Sequence, residues 1–293
     1  MNIKTMHYEI IGSNIPKELS GYRIALFSDT HNCSFGENNE ELIAPLEAFR
    51  PDIVVFAGDS ISKHRYDTEV YGGLDNALKL FHDMGDRFDV YYINGNHDAR
   101  LQELCNGGDP FADCFFWKKA EKARKNLPES PPDVFGDYIK AIKDAGIKVI
   151  SGRQEIIADG RLALTGLELP LKYYLHRCDS PDINVIKALI PEPAPGAFNI
   201  LVAHDPQHFD LYREWGADLS LCGHMHGCIV RLPLLGGVFS PYRTFFPKYD
   251  YGRFDKDRKT MLITSGCCKN FFRTRFSNPL EIVSITLLNN GES

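Results

Sequence analysis

Seven side chains of this 293-residue chain offer oxygen or nitrogen donors in short blocks of fixed order: Asp29-Thr30-His31, Gly58-Asp59, Gly95-Asn96-His97-Asp98, the isolated His204, and Gly223-His224-Met225-His226. Carboxylates, imidazoles and one amide oxygen suit Mn, Fe or Zn better than a thiolate-seeking ion. The donors Asp29, His31, Asp59, Asn96, His204, His224 and His226 are enough for two ions if one carboxylate is shared. An aspartate can be shared because each of its oxygens can take one cation, which holds the pair about 3.5–4 Å apart. Two cations at that spacing turn a water into a nucleophile at neutral pH and draw charge from phosphoryl oxygens.

Something must bring residues 29 to 226 to one place. Most blocks follow a run that reads as a buried strand: Ile24–Phe27 before Asp29, Ile53–Ala57 before Asp59, Val90–Ile93 before Asn96, Ile200–Ala203 before His204, and Leu219–Leu221 before His224. Ligands placed just past the carboxyl ends of strands converge at one rim of a sheet. His224 and His226 stand two apart, so an extended backbone would point both at the metals and turn Met225 away. Gly223 and Gly227 would relieve crowding there.

In this order the blocks resemble the pattern of the calcineurin-like metallophosphoesterases: D-x-H, G-D, G-N-H-[DE], a lone His, then G-H-x-H. Any one of these occurs by chance; five in order, each after an apolar run, is specific. Further segments, Arg231-Leu232-Pro233, Phe245-Phe246-Pro247-Lys248-Tyr249 and Arg275 to Ile282, are similar to the bacterial YkuE-type branch, whose members include phosphodiesterases and a lipid A pathway pyrophosphatase. The resemblance implies a four-layer αββα sandwich of two packed mixed β-sheets flanked by helices. It assigns Asp29, His31, Asp59 and His226 to one ion and Asp59, Asn96, His204 and His224 to the other. It also makes His97 the group that protonates the leaving oxygen, a normal use of an imidazole. The implied enzyme is a dinuclear metal-dependent phosphohydrolase that cleaves a phosphodiester or pyrophosphate bond by attack of a metal-bound hydroxide. A phosphomonoesterase, protein phosphatases included, is the alternative, and a non-catalytic scaffold would have lost ligands that are all present. The chain departs from relatives at Ser62, where some carry Asp, at Ile229, where Gln is common, and in lacking an N-terminal span or export signal.

The site draws on most of the chain, so a single domain over 1–293 is expected, with an active-site-side insertion at about 106–136, where Gly107-Gly108, Phe111, Phe115, Phe116, Trp117, Pro128, Pro131 and Pro132 break the pattern. Strands are expected as a pair at 6–12 and 22–28, and at 147–151, 154–158, 161–167, 199–203, 218–222, 228–232, 260–264 and 281–288. Helices are expected at 40–49, 74–85 and 137–145, and a long loop at 233–258. The net charge of −6 argues against nucleic acid, which favours a basic face. Acidity is no obstacle to a phosphate, since two divalent ions reverse the charge locally.

The expected substrate is a small phosphorylated or lipid-linked molecule. No run of about 18 apolar residues spans a membrane, and residues 1–20 lack an apolar signal core, so a cytoplasmic protein is expected, with peripheral membrane contact left open. Its eight cysteines show no regular framework and read as reduced thiols. Asn32, Arg231 and Arg273 are candidate phosphate contacts. Asp98 reads as a helix cap, His208 as a bystander, and Cys222 and Cys228 as small buried residues. The aromatic and basic segments 245–251 and 269–276 fit a lipid or nucleoside leaving group, a membrane surface, or plain packing.

Overall fold

In the computed structural model, which describes residues 3–61, 74–110, 121, 125, 133–174, 180–268, 278 and 280–291, the apolar runs form two stacked sheets. The first carries β1 (Ile3–Gly12), β2 (Arg23–Phe27), β3 (Ile53–Ala57), β4 (Val90–Ile93), β5 (Lys148–Val149) and β14 (Leu280–Asn289). Its order is β1-β14-β2-β3-β4-β5, parallel except for the antiparallel β14–β2 pair. The second carries β6 (Gln154–Ile157), β7 (Leu162–Leu167), β8 (Phe198–Ala203), β9 (Leu219–Cys222), β12 (Gly252–Lys256) and β13 (Lys259–Ile263). Its order is β12-β13-β9-β8-β7-β6, with a parallel centre and antiparallel edges. Between β9 and β12, β10 (Val230–Leu232) and β11 (Gly236–Phe239) pair as a separate antiparallel hairpin.

Side-chain alternation along the strands divides the core into layers. Ile24, Leu26, Val55 and Ile93 face Leu164, Ile200, Val202 and Leu221 between the sheets. Ala25, Phe27, Val54, Phe56 and Tyr92 point the other way, beneath α1 (Glu40–Phe49), α2 (Asp75–Gly85), α3 (Asn96–Cys105) and α4 (Val134–Asp144). On the far side Leu201, Ala203 and Ile263 pack against α5 (Ile183–Leu189) and α6 (Phe209–Trp215) through Ile186, Tyr212 and Trp215. The central strands are covered on both faces, which is why they are mostly apolar, with Thr165, Asn199 and Ser220 among the exceptions. The result is two mixed sheets flanked by helices.

Three expectations change. The strands expected at 6–12 and 22–28 are not neighbours, because β14 enters between them from the far end of the chain. The loop expected at 233–258 holds β11 and β12, whose exposed or edge positions give them no apolar run to read. The strand expected at 147–151 is only Lys148–Val149. The proposed insertion at 106–136 and its aromatic cluster lie largely outside the described residues, as do Ser62, Arg273, Arg275 and the segment 269–276. Among the described residues no helix is long and apolar enough to cross a membrane.

Candidate metal centre

The parallel strands β2, β3, β4, β8 and β9 deliver Asp29, Asp59, Asn96, His204 and His224 to the same rim, each within three residues of its strand's end. Backbone hydrogen bonds tie the loops together there: Asp29 N donates to Gly58 O at 2.9 Å, His31 N to Asp59 O at 3.1 Å, and Gly223 N to His204 O at 3.1 Å. Asp29, His31, Asp59, His224 and His226 all have φ between 46° and 65°. Left-handed backbone is uncommon outside glycine and gathers at functional sites. It also corrects the expectation for His224 and His226. They sit in a tight turn, not an extended segment, with Met225 N bonded to Gly223 O and Cys228 N to Met225 O. The left-handed residues aim both imidazoles inward while Met225 is buried in the core. Asn278 holds this turn, its Nδ2 lying 2.8 to 3.1 Å from the carbonyls of His226, Gly227 and Cys228.

Two groups of donors result. Asp29, His31 and His226 offer ligand atoms within 4.8 Å of one another, so do Asp59, His204 and His224, and a third set, His31, Asp59 and His97, links the two. In the first, His31 Nε2 is 3.1 Å from His226 Nε2, and His226 Nε2 is 3.3 Å from Asp29 Oδ1. In the second, His204 Nε2 is 3.3 Å from Asp59 Oδ2, and His224 Nδ1 is 3.0 Å from Asn96 Oδ1. Asp59 stands between the groups, its Oδ2 3.9 Å from His31 Nε2. His97 comes as near, Nε2 to Asp59 Oδ2 being 3.8 Å, and its backbone N–H donates to Asp59 Oδ1. Nδ1 of His31 and of His204 each meets a carbonyl, of Ile61 and Ala57. Such a bond fixes the tautomer and turns the Nε2 lone pair to a cation. Asp29 Oδ1 and His204 Nε2 are buried atoms that no hydrogen bond satisfies. Buried carboxylates left in that state fit a centre completed by cations.

The electrostatics agree. Burial pushes the Asp29 carboxyl up, with His204 opposing. Burial would also raise Asp59, but His204 and His97 outweigh it and hold the carboxyl well below its usual range. Burial disfavours charge on His204, yet Asp59 and then Asp29 raise it to about 10. His224, buried and next to His204, falls to about 4. Two buried carboxylates thus keep a proton on the nearest imidazole, the role a cation would take over.

Neighbours fix the bridging residue. Asp98 does more than cap α3: its Oδ2 accepts from the Gly95 and Asp59 amides at 2.8 Å and its Oδ1 from Ser60 Oγ at 2.6 Å. Burial, then the Asp59 charge, lifts Asp98 to about 6. Ser60 Oγ also meets the hydroxyls of Tyr92 and Tyr138. A Cβ on Gly95 would stand 2.9 Å from Asp59 Cγ and nearer still to its Oδ1 and amide nitrogen. One on Gly58, at φ +91°, would meet the Gly95 backbone and His204 Nδ1 at 2.7 Å. Gly223 likewise leaves room for Ser28 and Asp29, whereas Gly227 packs on Asn278.

The other candidates fare differently. Asn32 is turned to the scaffold: its Oδ1 accepts from Ala77 N at 2.9 Å and its carbonyl from Asn76. Those bonds use its Oδ1 and backbone carbonyl, so a phosphate contact would fall to its Nδ2 group. Arg231 pairs with Asp250 at 2.7 Å on the β10–β11 hairpin, so an anion would have to compete with that carboxylate. His208 lies 3.5 Å from Asp205 Oδ2, outside both donor groups. Cys222 and Cys228 are free and buried. Cys33 and Cys268 are joined as a disulfide, their Cα atoms 6.1 Å apart, which overturns the reading of every cysteine as reduced. Chain separation hid that pair. Sequence reasoning also missed Ser28, whose hydroxyl donates to Asp29 Oδ2, and the rings of Tyr174 and Tyr242, which flank His224 at 5.4 and 4.9 Å. Tyr242 in turn donates to Asp205, the residue after His204. Adjacency to a ligand marked Ser28 and Asp205; nothing local marked the tyrosines.

The model of the calcineurin-like phosphoesterase family matches residues 22–228, a span that contains every block above. The chain belongs to the calcineurin-like phosphoesterases. Members of this family are hydrolases of phosphoester bonds, and the two donor groups are the candidate metal ligands of this one. Among curated relatives it is similar to the uncharacterized metallophosphoesterase YkuE of Bacillus subtilis, 23% identical over 97% of this chain and 85% of that protein. It is also similar to the phosphodiesterase YaeI of Escherichia coli, 30% identical over 35% of this chain and 34% of that one. Among solved structures, the 5'-nucleotidase precursor of Thermus thermophilus aligns over 84% of this chain and 49% of its own, at 14% identity and a TM-score of 0.45.

Proposed function

We propose that this calcineurin-like phosphoesterase is a dinuclear metal-dependent phosphohydrolase acting on a phosphodiester or pyrophosphate bond of a small phosphorylated or lipid-linked substrate. The observation that carries the reading is the Asp59 carboxylate between two donor groups, with His31 on one side and His204 on the other. Asp29, His31, Asp59 and His226 would hold one cation and Asp59, Asn96, His204 and His224 the other, the donor set suiting Mn, Fe or Zn. When bound, the pair supplies Lewis-acid charge and a nucleophile from water at neutral pH.

The rest falls to the chain. Carbonyls of Ile61 and Ala57 orient two of the imidazoles, and Asp98 with the Gly95 cradle fixes the shared carboxylate. His97, its backbone bonded to Asp59 and its side chain about one-fifth exposed at the rim, is placed to give a proton to the leaving oxygen. Tyr174 and Tyr242 wall the His224 side.

Turnover of bis-p-nitrophenyl phosphate against p-nitrophenyl phosphate, with Mn, Zn, Mg or no added metal, tests the proposal. Metal-dependent hydrolysis with the diester preferred is expected. A strong preference for the monoester would turn the assignment to a phosphomonoesterase, and no turnover with any metal would remove the hydrolytic reading.

A further inference from the structure

Four residues past His226 the chain leaves the metal centre and projects as the β10–β11 hairpin. Its turn is Pro233-Leu234-Leu235. Phe245 and Phe246 run back beside β11, the Phe245 ring 5.1 Å from that of Phe239 and Phe246 N bonded to Val238 O. The side chains at this tip face solvent: Leu234 is as exposed as in an extended chain, Phe245 is 71% exposed, Leu235 and Phe246 are each 65%, and Leu232 is 42%. Among the described residues the only other exposed large hydrophobics are Ile11 and Ile156, both on the strands. Bulky apolar side chains therefore concentrate on one projection, and a patch of that kind marks an interaction site.

Charge narrows the occupant. In a chain of net charge −6, residues 229–249 contain Arg231, Arg243 and Lys248 and no acidic residue, with Asp250 next in line pairing with Arg231 at the base. Lys248 is 62% exposed, although it reaches Asp210. An apolar tip above a basic collar is the arrangement that sinks into the headgroup region of an anionic bilayer. A protein partner fits less well, because a standard interface needs roughly 20–30 residues a side, and this tip offers five apolar side chains on a narrow turn.

The base of the projection is built into the metal centre. Tyr242 donates to Asp205, beside His204, and its ring lies tilted against that of His224; Gly237 N donates to Asp250 Oδ2 at 2.8 Å, the same carboxylate that holds Arg231. We propose that the β10–β11 hairpin, through Leu232, Leu234, Leu235, Phe245 and Phe246, docks this enzyme on an anionic lipid surface and brings the metal centre to headgroup level. Drawing a phosphorylated substrate from that surface rests on the phosphohydrolase reading; the docking does not.

Flotation with phosphatidylglycerol/phosphatidylcholine vesicles, using the full chain, tests this. Wild type should float with the anionic vesicles, float less with pure phosphatidylcholine, and be released in part by salt. The L234D/L235D variant, checked for an unchanged melting temperature, should bind roughly tenfold or more weakly. It should hydrolyse soluble bis-p-nitrophenyl phosphate at the wild-type rate, so that a failed phosphohydrolase reading shows in that assay and a failed docking reading in flotation. Wild-type protein that stays with the soluble fraction, or a variant that floats equally well, overturns the proposal. So does concentration-dependent self-association of wild type that the variant abolishes without any vesicle binding.

Discussion

Gly95→Ala adds one methyl group beside the residue that both cations would share. Gly95 has φ −98° and ψ −172°, an ordinary conformation for alanine, so backbone strain does not enter. The new Cβ would stand 2.9 Å from Asp59 Cγ and closer to its Oδ1 and amide nitrogen, inside any real carbon contact. Asp98 pins the Asp59 amide at 2.8 Å, so the carboxylate must turn away and the loop backbone must shift with it. Overpacking of this kind costs about 1–3 kcal/mol of stability, or about 2–4 °C of melting temperature per kcal/mol in a chain of this size. Activity should suffer far more. Metal ligands tolerate about 0.2 Å, and a misplacement of about 1 Å costs on the order of 100-fold in rate. The expected variant is folded, melts a few degrees lower as the metal-free protein, holds fewer than two ions per chain after Mn loading, and hydrolyses bis-p-nitrophenyl phosphate at least about 100-fold more slowly. Gly291→Ala, at a position outside the left-handed region where an added Cβ meets only the Asn289 side chain at 3.4 Å or more, is the control for a general glycine effect. Two ions per chain and full activity in Gly95→Ala would refute the placement of Asp59 and the reasoning built on it.

Asp59→Asn should release both ions together in metal analysis and abolish turnover while the circular dichroism spectrum stays native; a variant that loses one ion only would show the carboxylate is not shared. His97→Ala should keep its metals and lower kcat by about 10²–10⁴-fold, more for an alkyl ester than for a nitrophenyl ester, whose leaving group needs no proton. His204→Ala should lose metal and both activities at once, and equal slowing of both esters by His97→Ala would exclude the acid role. The Cys33–Cys268 cross-link closes a loop over 235 residues, worth about 5 kcal/mol in the chain-entropy picture. Dithiothreitol or Cys33→Ser should therefore lower the melting temperature by several degrees, and eight free thiols in the denatured, unreduced protein would rule the cross-link out.

The sequence by itself marked the candidate donors and the rim on which they gather. Each block follows a run such as Ile53–Ala57, buried on both faces in a parallel sheet, and such a run is legible because no polar residue can interrupt it without loss of burial free energy. The layers followed for the same reason, since alternation sends Ile200 and Val202 to one core and Leu201 and Ala203 to the other. Tertiary structure decided what depends on residues far apart in the chain. Local spacing made His224 and His226 look extended, yet the left-handed turn that aims them is held by Asn278 from 50 residues away. That α2 anchors Asn32 through its Oδ1 could not be read from the residues around it. The pairing of Cys33 with Cys268, the entry of β14 between β1 and β2, and the two tyrosines beside His224 left no mark in local pattern. Periodicity reports which face of an element is buried; which distant segment buries it is fixed only when the sheets close on each other.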